Sequence, residues 1–185
     1  MEELSKFDET LFIWLNGFHS EWMDLVMLVI THRLTWIPFY VVLLIYLYKH
    51  IEQKKLVVIA AIIVTVGLAD FITSGLMKPF FMRLRPCHNP ELSALIHVAG
   101  HCGGKFGFAS SHAANTFSLF GALLFWLGWK NNWTKFTFVW AITVAYSRIY
   151  VGVHYPADIL TGMFVGFIIA IFIHQISSRI LNRYQ

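Results

Sequence analysis

Composition, run length and the spread of charge together predict an all-α, polytopic bundle of transmembrane helices. Of the 185 residues, 57% are hydrophobic and 13% charged, with a mean hydropathy of +0.62, too apolar for an ordinary soluble domain. Apolar runs recur along the chain, each near the roughly 20 residues a helix needs to cross a bilayer core about 30 Å thick. The net charge of +4 is scattered among short connections and helix ends. It forms no basic run or stripe of the kind that tracks nucleic acid, so no nucleic-acid partner is expected. Length allows one membrane-embedded domain, 1–185, with five crossings and six as the alternative. No repeat or low-complexity linker divides it.

The first element is the segment 1–31. It opens on acidic residues and lacks the basic start, apolar stretch and small-residue cleavage site of a secretory signal, so no processing is expected. Phe7, Leu11, Phe12, Trp14, Leu15, Phe18 and Trp22 are interleaved with Glu9, Asn16, His19 and Asp24, the pattern of an amphipathic helix lying in the membrane interface. A short or re-entrant crossing is the other reading. Next comes Leu34–Tyr48, a short span whose upstream extension is interrupted by His32 and Arg33. Four clearer runs follow, Leu56–Met77, Ala113–Trp129, Trp133–Val151 and Ala157–Ile176, each predicting a spanning helix. The seven Trp and 17 Phe read as lipid-facing bulk and interfacial anchors.

Lys and Arg in short connections set orientation. Lys49, Lys54 and Lys55, then Lys130 and Lys135, then Arg179 and Arg183 all fall on one face by counting crossings. That face is expected to be cytoplasmic. The opposite face, outside the inner or cell membrane, receives the outer loop 79–111 and the turn around Arg148 to His154. It also carries Lys78, Arg83, Arg85, Lys105 and Arg148, against the simple bias, and a bound anion would explain them.

Three clusters share that outer side. In Ser147-Arg148 to Asp158, Pro156 suits a helix start, and Asp158 lies one turn beyond His154 on the same face. The carboxylate can hold one imidazole nitrogen and leave the other as a nucleophile. Arg148 offers a planar fork for phosphate oxygens. The bland alternative is a helix-end His capped by a nearby Asp. In Ala109-Ser110-Ser111-His112, a helix N-terminus favours an anion and His112 could be a general acid, while an ordinary serine N-cap is compatible with both. Lys78, Arg85 and Pro86 bracket the third cluster, where snorkelling interfacial cations are the bland reading. Asp70, inside an apolar run, predicts an inward-facing carboxylate with a partner, either a site cation or a structural hydrogen bond.

Together these clusters resemble the three-part signature of the type 2 phosphatidic acid phosphatase superfamily, which includes bacterial acid phosphatases and vanadium haloperoxidases. Its pattern is Lys, six residues, Arg-Pro; then Pro-Ser-Gly-His; then Ser-Arg, five residues, His, three residues, Asp. Lys78, Arg85 and Pro86 match the first part, and Ser147, Arg148, His154 and Asp158 the third. In the second, Ser110 and His112 match, whereas Ala109 and Ser111 stand where the family has Pro and Gly. The resemblance implies a hydrolase acting on a lipid phosphate or pyrophosphate by a phosphohistidine intermediate. His154 would be the nucleophile, Asp158 its orienting group and His112 the general acid. Lys78, Arg85, Arg148, Ser110 and Ser111 would hold the phosphate. No metal, cofactor or obligate protein partner is implied beyond the lipid and the bilayer. Undecaprenyl pyrophosphate, phosphatidylglycerol phosphate, phosphatidic acid and lipid A phosphate all suit such a site. A vanadate-dependent haloperoxidase and a non-enzymatic lipid transporter are the rivals.

Cys87, His88, His97, His101 and Cys102 crowd the outer loop. Their spacing fits no common zinc pattern and an extracytoplasmic loop is oxidising, so a Cys87–Cys102 disulfide is favoured over a zinc site.

Overall fold

The computed structural model describes residues 2–52 and 54–183; residues 1, 53, 184 and 185 of the expected single domain lie outside that description. Helices α1 (Glu2–Asn16) and α2 (Glu21–Thr31) come first, then a 3-10 turn (Arg33–Trp36) and α3 (Ile37–His50). Helix α4 (Lys55–Asp70) runs on through a π-helical stretch (Phe71–Met77) into the single turn α5 (Lys78–Phe81). After the outer loop come α6 (Ser111–Leu127), α7 (Asn132–Tyr150) and α8 (Pro156–Arg183). Among the described residues there is no strand, and one antiparallel bridge pairs Leu84 with Phe106.

Local chemistry sets these boundaries. Pro38 and Pro79 lie in the first turns of α3 and α5 and Pro156 opens α8, where a missing N–H costs nothing. Gly128 ends α6 at a φ of 77°, and Asn131 caps α7 by accepting from the Trp133 N–H at 2.9 Å. The five apolar runs fall on α3, α4 with its π continuation, α6, α7 and α8. Lys55–Phe81 and Pro156–Arg183 are each long and apolar enough to cross a membrane alone. α2 and the following Arg33–His50 helix make a third candidate, bent by 64° at His32.

Helix α6 is the centre, packed against α8, α7 and α4, with Ala113, Phe117, Leu119, Phe120 and Leu123 in the core. Its approach to α8 is unusually close. A Cβ on Gly162 would collide with the Ser110 carbonyl, one on Gly166 with the Ala114 carbonyl, and one on Gly121 would lie 2.8 Å from the Ala170 Cβ. Gly162 and Gly166 form a GxxxG step, which lets two helix backbones meet inside a membrane.

The N-terminal segment is two helices, and it is tied into the bundle as well as amphipathic. Leu4, Phe7, Trp14, Phe18 and Trp22 are exposed, whereas Asp8, Phe12 and Asn16 are buried. The Asn16 amide donates to the carbonyls of His97, Ile149 and Tyr150 and accepts from the His97 N–H. At the other end, Lys54 Nζ donates to the Leu181 carbonyl at 2.7 Å and Asn131 to the Tyr46 hydroxyl at 2.9 Å. The three basic connections therefore share one end of the bundle.

Gly166→Ala should lower stability by about 1–3 kcal/mol, the usual cost of overpacking a fitted contact. Thermal unfolding in detergent measures this, and a midpoint equal to the wild type would mean that α6 and α8 do not need their close contact.

Candidate active site

The turn from α7 to α8 builds the centre of the site. Gly152 turns the chain at a φ of 79°, and a Cβ there would come within 2.6 Å of the His97 carbonyl. The Val153 and His154 N–H groups both donate to the Arg148 carbonyl, at 3.1 and 3.3 Å. His154 is thereby locked to the last turn of α7. Asp158, in the first turn of α8, reaches back to accept the Tyr155 N–H at 3.1 Å, as the third residue of a capping box does. The same oxygen, Oδ2, lies 3.3 Å from His154 Nδ1. With Nδ1–H donated to the carboxylate, Nε2 carries the free lone pair. Both side chains are almost fully buried. That burial, reinforced by the charges of Arg148, Arg85 and Lys78, holds the His154 imidazole well below its ordinary range and therefore neutral.

The outer loop meets this pair at Gly107. A Cβ there would lie 3.0 Å from Asp158 Oδ2 and 3.5 Å from His154 Nδ1, so a side chain at this position would press directly on the pair. Pairing of Arg85 N–H with the Lys105 carbonyl and of Gly107 N–H with the Arg83 carbonyl fixes the loop. Arg83 extends beneath it, donating to Asp158 Oδ1 at 2.8 Å and to Asp8 Oδ2 at 2.6 Å.

The cations converge from three elements. The π-helical stretch, a geometry frequent at functional sites, precedes Lys78, whose Nζ donates to Ser111 Oγ at 2.7 Å; Ser74 Oγ is also 2.7 Å from Ser111 Oγ. Arg85 is held by the carbonyls of Phe106 and Cys102, at 3.2 and 2.6 Å. Arg148 donates to the Thr31 hydroxyl, and its Nε has no partner among the described residues. His112 Nε2 lies 3.2 Å from the Thr31 carbonyl. The end of α2 thus rests on two of the expected site residues.

Lys78, Arg85, Ser111, His112, Arg148 and His154 all line one cavity of about 670 Å³, whose deeper wall is apolar, including Leu43, Leu47, Ile62, Val66 and Leu119. Asp158 stands behind His154. Ser110 does not join the lining: it is fully buried, its N–H donates to the Asp158 carbonyl at 3.0 Å, and its hydroxyl neither caps α6 nor finds a partner among the described residues. Asp70 reaches the cavity wall, and its partner is Asn115, which donates at 3.0 Å. Asp8, Thr31, Gly107 and Asn115 were not among the residues singled out from sequence, and Arg83 figured there only as one of the outer-face cations that a bound anion would explain. Only Arg83, two residues from Arg85, carried a local signal.

Cys87 and Cys102 form a disulfide, with Cα atoms 6.0 Å apart. Of the group Cys87, His88 and Cys102, two sulfurs are therefore used, and His97 is engaged elsewhere, 2.9 Å from Asp24.

The family model for the PAP2 superfamily matches residues 55–181. The chain belongs to the PAP2 superfamily. It is 36% identical over 170 residues, 90% of this chain and 75% of the relative, to a lipid A 4'-phosphatase of Bacteroides thetaiotaomicron. It is 34% identical over 180 residues, 95% of this chain and 75% of the relative, to a lipid A 4'-phosphatase of Porphyromonas gingivalis. A PAP2-type phosphatidylglycerolphosphate phosphatase of Bacillus subtilis shares the fold, with a TM-score of 0.71 over 97% of this chain and 89% of that one, at 21% identity. As a PAP2 member with apolar spanning helices, the chain is an integral membrane phosphatase of lipid phosphates. The family model begins at α4, whereas the P. gingivalis relative and the B. subtilis structure align over 95% and 97% of the chain and so take in most of α1 to α3 as well.

The disulfide ties the Cys102 carbonyl that holds Arg85. Cys102→Ser should loosen that cation, raising KM for a phosphorylated lipid more than it lowers kcat, and should destabilise by up to about 3 kcal/mol for a loop of this length. Steady-state kinetics in detergent check the first effect, thermal unfolding the second.

Proposed function

We propose that the protein removes a phosphate monoester from a lipid A-like glycolipid at the outer face of the cell membrane, through a phosphohistidine formed on His154. The observation that carries this reading is the position of a neutral, buried imidazole where a cationic mouth meets an apolar cleft. The phosphate would lie against Lys78, Arg85 and Arg148, with the tails in the cleft. The two lipid A 4'-phosphatase relatives favour the glycolipid over undecaprenyl pyrophosphate, phosphatidylglycerol phosphate or phosphatidic acid. The whole chain, 1–185, would act as one phosphatase domain, with the α1–α2 segment in the interface and the 79–111 loop outside.

His154 Nε2 attacks phosphorus while Asp158 accepts the Nδ1 proton's hydrogen bond and stabilises the charge that develops on the ring. Lys78, Arg85 and Arg148 neutralise the phosphoryl oxygens, and electrostatic stabilisation of this kind is usually the largest contribution to such a transfer. The free N–H groups at the start of α6, which Ser110 and Ser111 introduce, add to it. The departing alkoxide takes a proton from His112, and water then hydrolyses the phosphohistidine with His112 receiving the proton. For a general acid of this kind the contribution is about 10² to 10⁴ in rate.

A labelled phosphate should become trapped on the wild type in rapid-quench experiments and not on His154→Ala, which should be inactive. Turnover should persist in chelator and stop with vanadate; activity lost with chelator and restored by Mg²⁺ would overturn the reading, and bromide oxidation with vanadate would favour the haloperoxidase.

The pH profile provides a separate check. His154 protonation destroys the nucleophile, and its depressed pKa means that activity survives as pH falls through the ordinary imidazole value of about 6.5 and is lost only at lower pH. An acid limb of kcat/KM at or above that value would argue against His154 as the buried nucleophile.

A further inference from the structure

Arg83 does not behave as a phosphate ligand. It is absent from the cavity wall that Lys78, Arg85 and Arg148 share, and its two terminal nitrogens are each given to a carboxylate, Asp158 at 2.8 Å and Asp8 at 2.6 Å. Its guanidinium also sits 4.1 Å over the ring of Tyr155, which packs edge-on against Phe12 of α1 at 5.4 Å. A planar fork so divided has one available orientation.

Asp8 is committed as fully. While Oδ2 accepts from Arg83, Oδ1 accepts the Ala157 N–H at 2.8 Å, one of the free donors in the first turn of α8. The residue beside Ala157 is Asp158. Asp8 therefore grips both the cation that holds Asp158 and the backbone that carries it.

We propose that Asp8 and Arg83 are positioning residues for the nucleophile, forming with Asp158 and His154 a four-residue relay in which α1 sets the orientation of the imidazole. The inference rests on the reading of His154 as the nucleophile. Asp158 Oδ1 is taken by Arg83 and Oδ2 by the Tyr155 N–H and His154 Nδ1, so the carboxylate cannot rotate without breaking a contact at each oxygen. A buried carboxylate that lost Arg83 would be left without its compensating charge. Once it turns, the ring it holds turns with it. The helix that provides Asp8 precedes residues 55–181, the span of the family model. A segment that looks like a membrane anchor would thus complete the catalytic geometry.

The competing explanation is that the ion pairs only fasten α1 to the bundle, and kinetics separate the two. In the full-length protein, with a phosphorylated glycolipid as substrate, Asp8→Asn should lower kcat on the order of ten- to a hundredfold, the scale of a small misplacement of a reacting group, with KM unchanged. Asp8→Glu should restore part of the loss. Arg83→Gln should cost at least as much, and adding Asp8→Asn to it should cost little more, because the two act through one chain of contacts. Arg83→Gln should also move the acid limb of kcat/KM to higher pH, since the pair loses a neighbouring cation while Lys78, Arg85 and Arg148 still face it. Should Asp8→Asn reduce the yield of folded protein, Arg83→Lys reads the same relay, with a kcat loss at retained vanadate inhibition. Unchanged kcat and acid limb with only a lowered unfolding midpoint, or additive losses in the double variant, would overturn the relay. Activity in His154→Ala would instead overturn the function it rests on.

Discussion

The site depends first on how closely α6 and α8 approach. His112 begins one helix and Asp158 the other, and neither position has meaning for the chemistry unless the two N-termini meet. Gly162, Gly166 and Gly121 remove the side chains that would hold the backbones apart. The Ser110 N–H then bonds directly to the Asp158 carbonyl. Packing of this kind is available in a membrane, where apolar surface alone gives helices little reason to associate. A rigid α6–α8 pair becomes the frame against which the π-helical end of α4 delivers Lys78 and the end of α7 delivers Arg148.

That frame gathers Lys78, Arg85 and Arg148 around one cavity mouth, which is unfavourable without anions. Among the described residues Asp70 is the carboxylate in the cavity lining, whereas Asp158 and Asp8 lie outside that lining, with Asp158 behind His154. Asp158 and Asp8 balance Arg83, while the three cavity cations keep their charge directed at whatever enters. Burial keeps His154 neutral, and the positive charges of Arg148, Arg85 and Lys78 reinforce it. One distribution of charge thus accompanies both the neutral imidazole and the cationic cavity mouth.

Much of this was legible in the sequence because it is written in short spacings. The interval from His154 to Asp158 is one helical turn, Lys78 and Arg85 bracket a helix end, and the apolar runs fall on the long helices. What escaped is carried by contacts between distant segments. Asp8 and Arg83 are 75 residues apart, as are Arg83 and Asp158, and Thr31 meets Arg148 across 117 residues. No periodicity within α1 distinguishes Asp8 from a solvated acid on the polar face of an interfacial helix. Ser110 shows the opposite limit. Its spacing placed it in the phosphate cradle, but the tight α6–α8 contact buries its hydroxyl away from the cavity wall.

Thr31 has a consequence for selectivity. Its hydroxyl takes an N–H of Arg148, and its carbonyl takes His112. A ligand that claims either group displaces a protein acceptor rather than water alone. The gain on binding is then a difference between two acceptors competing for the same proton. Neutral hydroxyls and ester carbonyls, abundant on every lipid that drifts past, compete with their like and gain almost nothing. A phosphate dianion makes the stronger, charge-assisted bond. At these two donors the resting site therefore favours a phosphate dianion over neutral lipid groups.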